Sequence, residues 1–599
     1  MPYYTTRPVI MGRKAVVTSG HYLATAAGFR ITEQGGNAFD AAAAMGICLN
    51  LLEPTSNGIG GEVPTLVYSA KEKKTYAVSG MGWNAKAFTI EWCQKNGIDL
   101  IPGDGFLPAC VPAVVGTWAL ILARFGTMGM SQVLAPALDL AENGFAMDRK
   151  LSGALKGAEK KFTQLYPTTG QLYLKKGKAP EVGTMFRNPG FAYTLKAMCK
   201  AEDGAKHKGR VAGIEAARDA FYKGEIADKM LAWATTNPVE DASGKAHTAL
   251  LSSEDLAGWQ AGLESPSTLS YKGLDVHKCP PWTQGPVFLQ QLGILEGYGL
   301  KAMGHNSAEY LHTLIESAKL AFADREAYYG DPQFDNVPMD RLLSKDYAAK
   351  RRELIGAKAS MDTRPGDVGR GIPDYTLRAV ADDNRMALKV AARATKDLGI
   401  GHAHTGDTTH LDAVDAAGNM VAATPSGGWI GTSPVIPALG FPLGTRGQMF
   451  YLNPNRPNAL APHKRPRATL TPSMVTRNGE PYMAFGTPGG DSQDQWTLQF
   501  FLNYAEFGMD IQEAMDAPTL HSTHFPSSFY PRAAYPGRVV SEDTIPESVR
   551  EELKKRGHTI ELTEFGANGK VMGIRFNKET GVISGGCAPK GNIGYALGW

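Results

Sequence analysis

Thr408-Thr409-His410-Leu411-Asp412-Ala413-Val414-Asp415 is followed by Ala416-Ala417-Gly418-Asn419 and then by Met420-Val421-Ala422-Ala423-Thr424-Pro425-Ser426. Two β-prone runs around a short turn rich in small residues predict a β-hairpin. With the turn centred near Ala417, antiparallel counting sets Thr408 opposite the stretch from Thr424 to Ser426. Period-two alternation puts Thr424 and Ser426 on one face, so three hydroxyls converge at one end of the hairpin. An ordinary Thr-rich strand pair is the competing reading of the hairpin alone. By the same alternation His410 shares a face with Thr408, and it reads as a satisfied interior histidine with at most a supporting role.

Downstream, the strand Tyr482-Met483-Ala484-Phe485 runs into Gly486-Thr487-Pro488-Gly489-Gly490-Asp491. Adjacent glycines after a strand can aim consecutive N–H groups into one small space, a nest suited to an oxyanion; a plain turn is the alternative. A phosphate loop is disfavoured, because neither a G-x-x-x-x-G-K-[ST] lysine nor a G-x-G-x-x-G fingerprint follows the strand. Upstream, residues 354–405 are polar and charged and read as a largely mobile segment. Before them, residues 284–295 and 308–327 carry helical periodicity, the second run ending at Gly330-Asp331-Pro332.

The N-terminal unit predicts a strand at residues 15–18, a helix at 23–34 stopped by Gly35-Gly36, and an N-cap at Asn37. The next helix, Ala38–Leu52, contains Ala41 to Ala44 in succession, so backbone can approach it closely and it belongs at the centre of the fold. Glu53-Pro54 ends it, and Gly58-Ile59-Gly60-Gly61 turns into a strand at 65–68. Residues 105–141 are again helical in pattern, and 214–222 read as a short amphipathic surface helix.

Composition bounds the function. The chain has 599 residues, 43% hydrophobic and 20% charged, which suits a large-cored globular protein. Its 62 basic and 59 acidic residues give a formal +3, so no strong field favours nucleic acid or an anionic membrane. Six scattered cysteines show neither C-x-x-C pairs nor zinc spacing and predict free thiols in a reducing compartment. The N-terminus, Met1 to Lys14, has no apolar run of signal-peptide length, no stretch reaches 18 uncharged apolar residues, and the expected location is the cytoplasm.

Taken together, these motifs resemble the gamma-glutamyltransferase family of N-terminal-nucleophile hydrolases. The resemblance rests on Gly35 to Ala42, Glu53-Pro54 with Gly58 to Gly61, Leu320-Ala321-Phe322-Ala323-Asp324-Arg325 with Gly330-Asp331-Pro332, Thr408-Thr409-His410, and Gly486 to Gly490. It implies an α/β (α+β) fold, a four-layer αββα sandwich. It also implies self-cleavage of one precursor between Asp407 and Thr408, giving a large segment 1–407 and a small catalytic segment 408–599 that form one structural domain and stay associated. A dimer of such two-chain units is one arrangement open to it. Thr408 would be the nucleophile, with its own freed α-amine as base. An α-amine, with an ordinary pKa near 7.7–8.0, is partly neutral at physiological pH and can take the hydroxyl proton. Thr424 and Ser426 would position Thr408, and the N–H groups of Gly489 and Gly490 would hold the oxyanion. No metal or cofactor is implied.

The departures from the family pattern bear on the substrate. Gly80 stands where glutathione-active members have a carboxylate-binding arginine. Phe450 and Tyr451 stand where an acid would receive the substrate ammonium. Gly428 replaces an amide side chain, and Ala468-Thr469 replaces paired serines. Losing both charged anchors should remove roughly 1.5–3 kcal/mol for each charged hydrogen bond. The motifs Thr424 to Trp429, Thr445 to Met449 and Gly486 to Asp491 look like the branch containing gamma-glutamyltransferase-like proteins, oxamate amidohydrolase and some acylases. Arg467, Thr469 and Asp491 are the candidate substrate contacts, structural ion pairing being the alternative for the two charged ones. The expected activity is hydrolysis of a small amide through a Thr408 acyl-enzyme, with water or an amine as acceptor. The alternatives are a true gamma-glutamyltransferase and a non-catalytic binding protein of the same fold.

Overall fold

Leu411–Asp415 and Met420–Ala423 pair antiparallel, with Leu411 opposite Ala423 and Val414 opposite Met420, and a further bridge joins Thr408 to Ser426. The turn closes because Asp415 Oδ1 accepts the backbone N–H groups of Ala417 and Asn419. The structure, a computed structural model, describes residues 5–376, 407–591 and 593–599.

The hairpin lies in the middle of a seven-stranded sheet ordered Tyr595–Gly598, Ala15–Ser19, Leu411–Asp415, Met420–Ala423, Thr65–Ser69, Lys74–Val78, Leu263–Glu264. A second seven-stranded sheet is ordered Ile10–Gly12, Val582–Cys587, Met572–Asn577, Glu480–Gly486, Ser473–Arg477, Leu274–Lys278, Ser267–Tyr271. Strand alternation sorts the side chains between layers. Val16, Leu66, Val414, Met420 and Ala422 face Met474, Ala484, Ile574 and Ile583 of the other sheet. Val17, Val67, Leu411, Ala413, Val421 and Ala423 point the opposite way, onto the helices Tyr22–Glu33 and Ala38–Leu52. Pro286–Leu295, Ala308–Tyr328 and Gln493–Ala505 cover the outer face of the second sheet, packing against Val276, Val475, Met483 and Phe485. The result is the four-layer αββα sandwich.

Every residue of Ala38–Leu52 is buried, and its start is fixed by a capping box between Asn37 and Asp40. The helical pattern at 105–141 resolves into Val114–Phe125 and Met130–Asn143. Two expectations are corrected. The surface segment at 214–222 is part of the helix Arg210–Tyr222, and Ile214, Ala217, Phe221 and Tyr222 are buried in the core. Its Tyr222 hydroxyl donates to the Pro112 carbonyl at 2.7 Å, so this face is packed. In the segment read as mobile, residues 354–376 are tied down, Arg364 to Glu316 at 2.9 Å and the Gly366 N–H to Asp324 at 2.7 Å. The remainder of that segment lies outside the described residues. Among the described residues no helix is long and apolar enough to cross a membrane. All six cysteines are free.

Candidate active site

Alternation places Thr408, His410 and Asp412 on the inner face of the first sheet, with Thr424 and Ser426 across from them, and all five are buried. Thr408 Oγ1 lies 3.2 Å from Ser426 Oγ. Ser426 Oγ donates to the Asp407 carbonyl oxygen at 2.9 Å and accepts from Arg446 Nη2 at 2.8 Å. A serine hydroxyl has one proton and two lone pairs. With its proton committed to Asp407, Ser426 can only accept from Thr408, so the Thr408 hydroxyl donates to it. Thr424 does not reach Thr408: its hydroxyl bonds His410 Nδ1 at 3.0 Å, and His410 Nε2 bonds Asp412 at 3.0 Å. Burial holds the Asp412 carboxyl above its ordinary value, against the pull of His410. His410 is thus a satisfied interior residue braced by Thr424.

The carbonyl of Asp407 accepts a second hydrogen bond, from Trp429 Nε1 at 2.9 Å. Arg446 underpins both donors, since its guanidinium stacks 4.8 Å from the Trp429 ring centre and is neutralised by buried Glu62, with Nε to Oε1 at 2.6 Å. The Asp407 side chain is equally well held. Its Oδ2 accepts from Ser56 Oγ at 2.6 Å and its Oδ1 from the Thr408 N–H at 2.9 Å. Burial would raise the Asp407 carboxyl, but Lys150 and Lys570, with these hydrogen bonds, hold it below the usual carboxylate range.

Asp407, Lys150 and Lys570 line a cleft of about 830 Å³, a size that suits a small-molecule site. Leu155, Phe162, Phe525, Phe529 and Trp496 supply apolar wall, and Pro488, Gly489 and Asp491 bring in the Gly-Gly loop. Gly489 has φ 131°, and a Cβ there would stand 2.1 Å from the Trp496 ring, so both conformation and space demand glycine. Gly490, with φ 54°, begins the turn of helix Gly490–Ser492.

The candidate substrate contacts separate. Asp491 reaches the cleft, but its Oδ1 is bound by Arg325 and by Ser528 Oγ at 2.6 Å, and its Oδ2 by the Ser528 N–H at 2.8 Å. Arg467 is buried away from the cleft lining in an ion pair with Glu326 at 2.9 Å. Thr469 is fully buried and is not on the cleft wall either. Tyr451 donates to Glu326 at 2.6 Å. Burial works against the Glu326 charge, but Arg467, Arg325 and Arg456 hold its carboxyl well below the usual range. Gly80 and Gly428, two of the positions that depart from the family pattern, have no room for a side chain. A Cβ on Gly80 would stand 2.0 Å from the Val63 carbonyl oxygen, and Gly428 has φ 61° with its Cβ position 3.0 Å from the Gly61 nitrogen.

Among the described residues one cluster outside the cleft has metal-ligand residue types: His312, Glu316 and His558. Glu316 is already bound by Lys319 at 2.6 Å and Arg364 at 2.9 Å, and His312 and His558 are hydrogen-bonded to each other at 2.8 Å. Two cations beside its only carboxylate make the group self-compensated and a poor host for a further cation.

Sequence reasoning brought Thr408, Ser426, Asp407 and the Gly-Gly loop to one region. It missed Ser56, Lys150, Lys570 and the roles of Trp429 and Arg446. The last two stand inside quoted motifs, Thr424 to Trp429 and Thr445 to Met449, and that position was the available signal.

An αββα sandwich with a buried threonine directly after a cleft-lining aspartate, its hydroxyl hydrogen-bonded to the serine that holds that aspartate's carbonyl, has the architecture of an N-terminal-nucleophile hydrolase precursor. The profile of the Gamma-glutamyltranspeptidase family matches residues 24–597, and the chain belongs to that family. It is 30% identical to the "Glutathione hydrolase-like YwrD proenzyme" of Bacillus subtilis (strain 168), over 98% of this chain and 99% of that protein. The structure of LmbA2991HD is similar at 42% identity and TM-score 0.92, covering 100% of both chains. That of the cephalosporin acylase from Bacillus halodurans is similar at 30% identity and TM-score 0.83, covering 100% of this chain and 98% of the other.

Proposed function

We propose that the protein is an autoprocessing amide hydrolase whose nucleophile is Thr408. The observation that carries this reading is the arrangement around one carbonyl: Asp407 C=O accepts from Ser426 and Trp429, while the Thr408 hydroxyl donates to Ser426. In processing, Thr408 Oγ1 bonds to the Asp407 carbonyl carbon, the bond from that carbon to the Thr408 nitrogen breaks, and the hydroxyl proton ends on the released amine. Ser426 and Trp429 stabilise the charge that develops on the carbonyl oxygen. Water then cleaves the ester, giving a carboxylate at Asp407 and a free α-amine on Thr408.

The mature residue repeats the chemistry on a small amide. Its α-amine takes the hydroxyl proton and passes it to the leaving amine, and water or a second amine resolves the acyl-enzyme. The Gly489 and Gly490 N–H groups, on the loop that enters the cleft, are suited to the substrate oxyanion. Relatives named as a glutathione hydrolase-like proenzyme and a cephalosporin acylase support amide cleavage, and the filled Gly80 and Gly428 positions argue against the gamma-glutamyl anchor. The six free thiols support a reducing, cytoplasmic setting. N-terminal sequencing of purified protein, paired with turnover of acyl anilides, is the test. A fragment beginning Thr408-Thr409-His410 that cleaves anilides is expected; an intact chain that cleaves them would overturn the reading.

A further inference from the structure

The precursor carries a ligand in its own cleft. The Asp407 side chain is a carboxylate set three bonds from the carbonyl carbon that Thr408 attacks. It is held by Ser56 at 2.6 Å, and the charges of Lys150 and Lys570 act on it. Both lysines line the cleft beside it. Lys150 has a partner of its own, Glu53 at 2.8 Å. Lys570 has no ion pair among the described residues, and burial, which works against its ammonium, is opposed chiefly by the charge of Asp407. Once the bond before Thr408 is cut, Asp407 is no longer tethered there. The two lysines then face the cleft, and the Ser56 hydroxyl that held Asp407 lies 3.4 Å from Lys150 Nζ.

The ester formed during processing and the acyl-enzyme formed on a substrate have the same connectivity: an acyl carbon on Thr408 Oγ1. Both acyl chains hang from the same oxygen, so the groups that hold the Asp407 side chain are within reach of the second chain even though the two carbonyl oxygens meet different donors. We propose that Lys150, Lys570 and Ser56 form the acyl subsite of the mature enzyme, and that it takes acyl groups ending in a carboxylate three bonds from the reacting carbonyl, as in N-succinyl amides. This rests on Thr408 being the acylated residue. The subsite asks for no ammonium on the acyl chain, in line with the absence of an acid at Tyr451, whose hydroxyl is spent on Glu326.

The test uses processed enzyme and three matched p-nitroanilides: succinyl, butyryl and gamma-glutamyl. Butyryl keeps the chain length and removes the charge. The succinyl compound should exceed the butyryl one in kcat/KM by about 10- to 100-fold, as expected for charged hydrogen bonds. Lys570→Met should collapse that ratio towards one. A binding readout independent of turnover is thermal protection by free succinate. Succinate, but not butyrate, should raise the melting temperature of processed protein, and neither should protect the uncleaved Thr408→Ala precursor, in which Asp407 still fills the subsite. Equal turnover of succinyl and butyryl anilides, a preference for gamma-glutamyl, or equal protection of precursor and mature forms would overturn the subsite while leaving Thr408 as nucleophile. Absence of cleavage before Thr408 would instead remove the reading on which the subsite rests.

Discussion

Trp429 Nε1 donates at 2.9 Å to the carbonyl oxygen of Asp407, 22 residues earlier in the chain. That oxygen gains negative charge when Thr408 attacks, and a fixed donor in a buried site stabilises it without reorganisation. Trp429→Phe keeps an aromatic ring beside Arg446 and removes the N–H, which Asp407 shares with the Ser56 carbonyl at 2.9 Å. Loss of one such donor costs about 100- to 1000-fold in comparable sites. Processing of freshly translated Trp429→Phe, followed on denaturing gels, should slow by about that factor, and an unchanged rate would show that the donor is idle.

Thr408→Ala should abolish both processing and amide turnover, because one hydroxyl serves both steps. Thr408→Ser should retain some of each, since the hydroxyl and the future α-amine are kept and only the methyl group is lost. Intact mass is the measurement. Two fragments from the alanine protein would move the processing site elsewhere.

The hairpin and its converging hydroxyls were legible in the sequence because a short turn and period-two alternation fix which residues share a face. The helix Ala38–Leu52 was legible for a similar local reason, its Asn37 cap and its run of alanines. The partners of Asp407 were not, because Lys150 and Lys570 reach it from more than 150 residues away on either side and no local pattern links them. Arg467 shows which of two readings the structure favours, substrate contact or structural ion pairing. Its position beside a pocket motif suggested substrate, but a fully buried guanidinium must be paired, and Glu326 on the helix Ala308–Tyr328 pairs it. The inward face of that helix could be counted, but not which buried cation its acid would meet.

Burial, with help from Lys319, holds His524 down to about 4, and burial with neighbouring cations holds His558 down to about 3, against an ordinary value of 6.5. Both are neutral in the fold. Unfolded, each takes a proton as the pH drops through 6.5, so the unfolded state binds more protons between pH 6.5 and about 3. Their contribution to stability is therefore complete above pH 6.5 and is lost progressively as the pH falls towards the folded values. Melting temperature should drop from pH 7 to pH 4.5, and His558→Gln should flatten that slope while lowering the value at pH 7. A slope unaltered by the substitution would assign the acid sensitivity to carboxylates.

The two products of cleavage, residues 1–407 and 408–599, should stay together without denaturant. Ala15–Ser19 from the first lies hydrogen-bonded between Leu411–Asp415 and Tyr595–Gly598 from the second. Met420–Ala423 of the second is in turn paired with Thr65–Ser69 of the first. In the other sheet, Leu274–Lys278 of the first fragment pairs with Ser473–Arg477 of the second. Separation would break these four strand–strand seams within the sheets and expose Val16, Leu66, Val276, Val414, Val475 and Leu411, all essentially inaccessible. Full burial of such side chains is worth about 1.5–3 kcal/mol each, so these six alone oppose dissociation strongly. Cutting one peptide bond beside the cleft removes none of this contact. Native size-exclusion chromatography of processed protein should show one species containing both fragments, which part only in denaturant. Elution of the 408–599 fragment on its own would mean that the shared sheets do not hold the halves together.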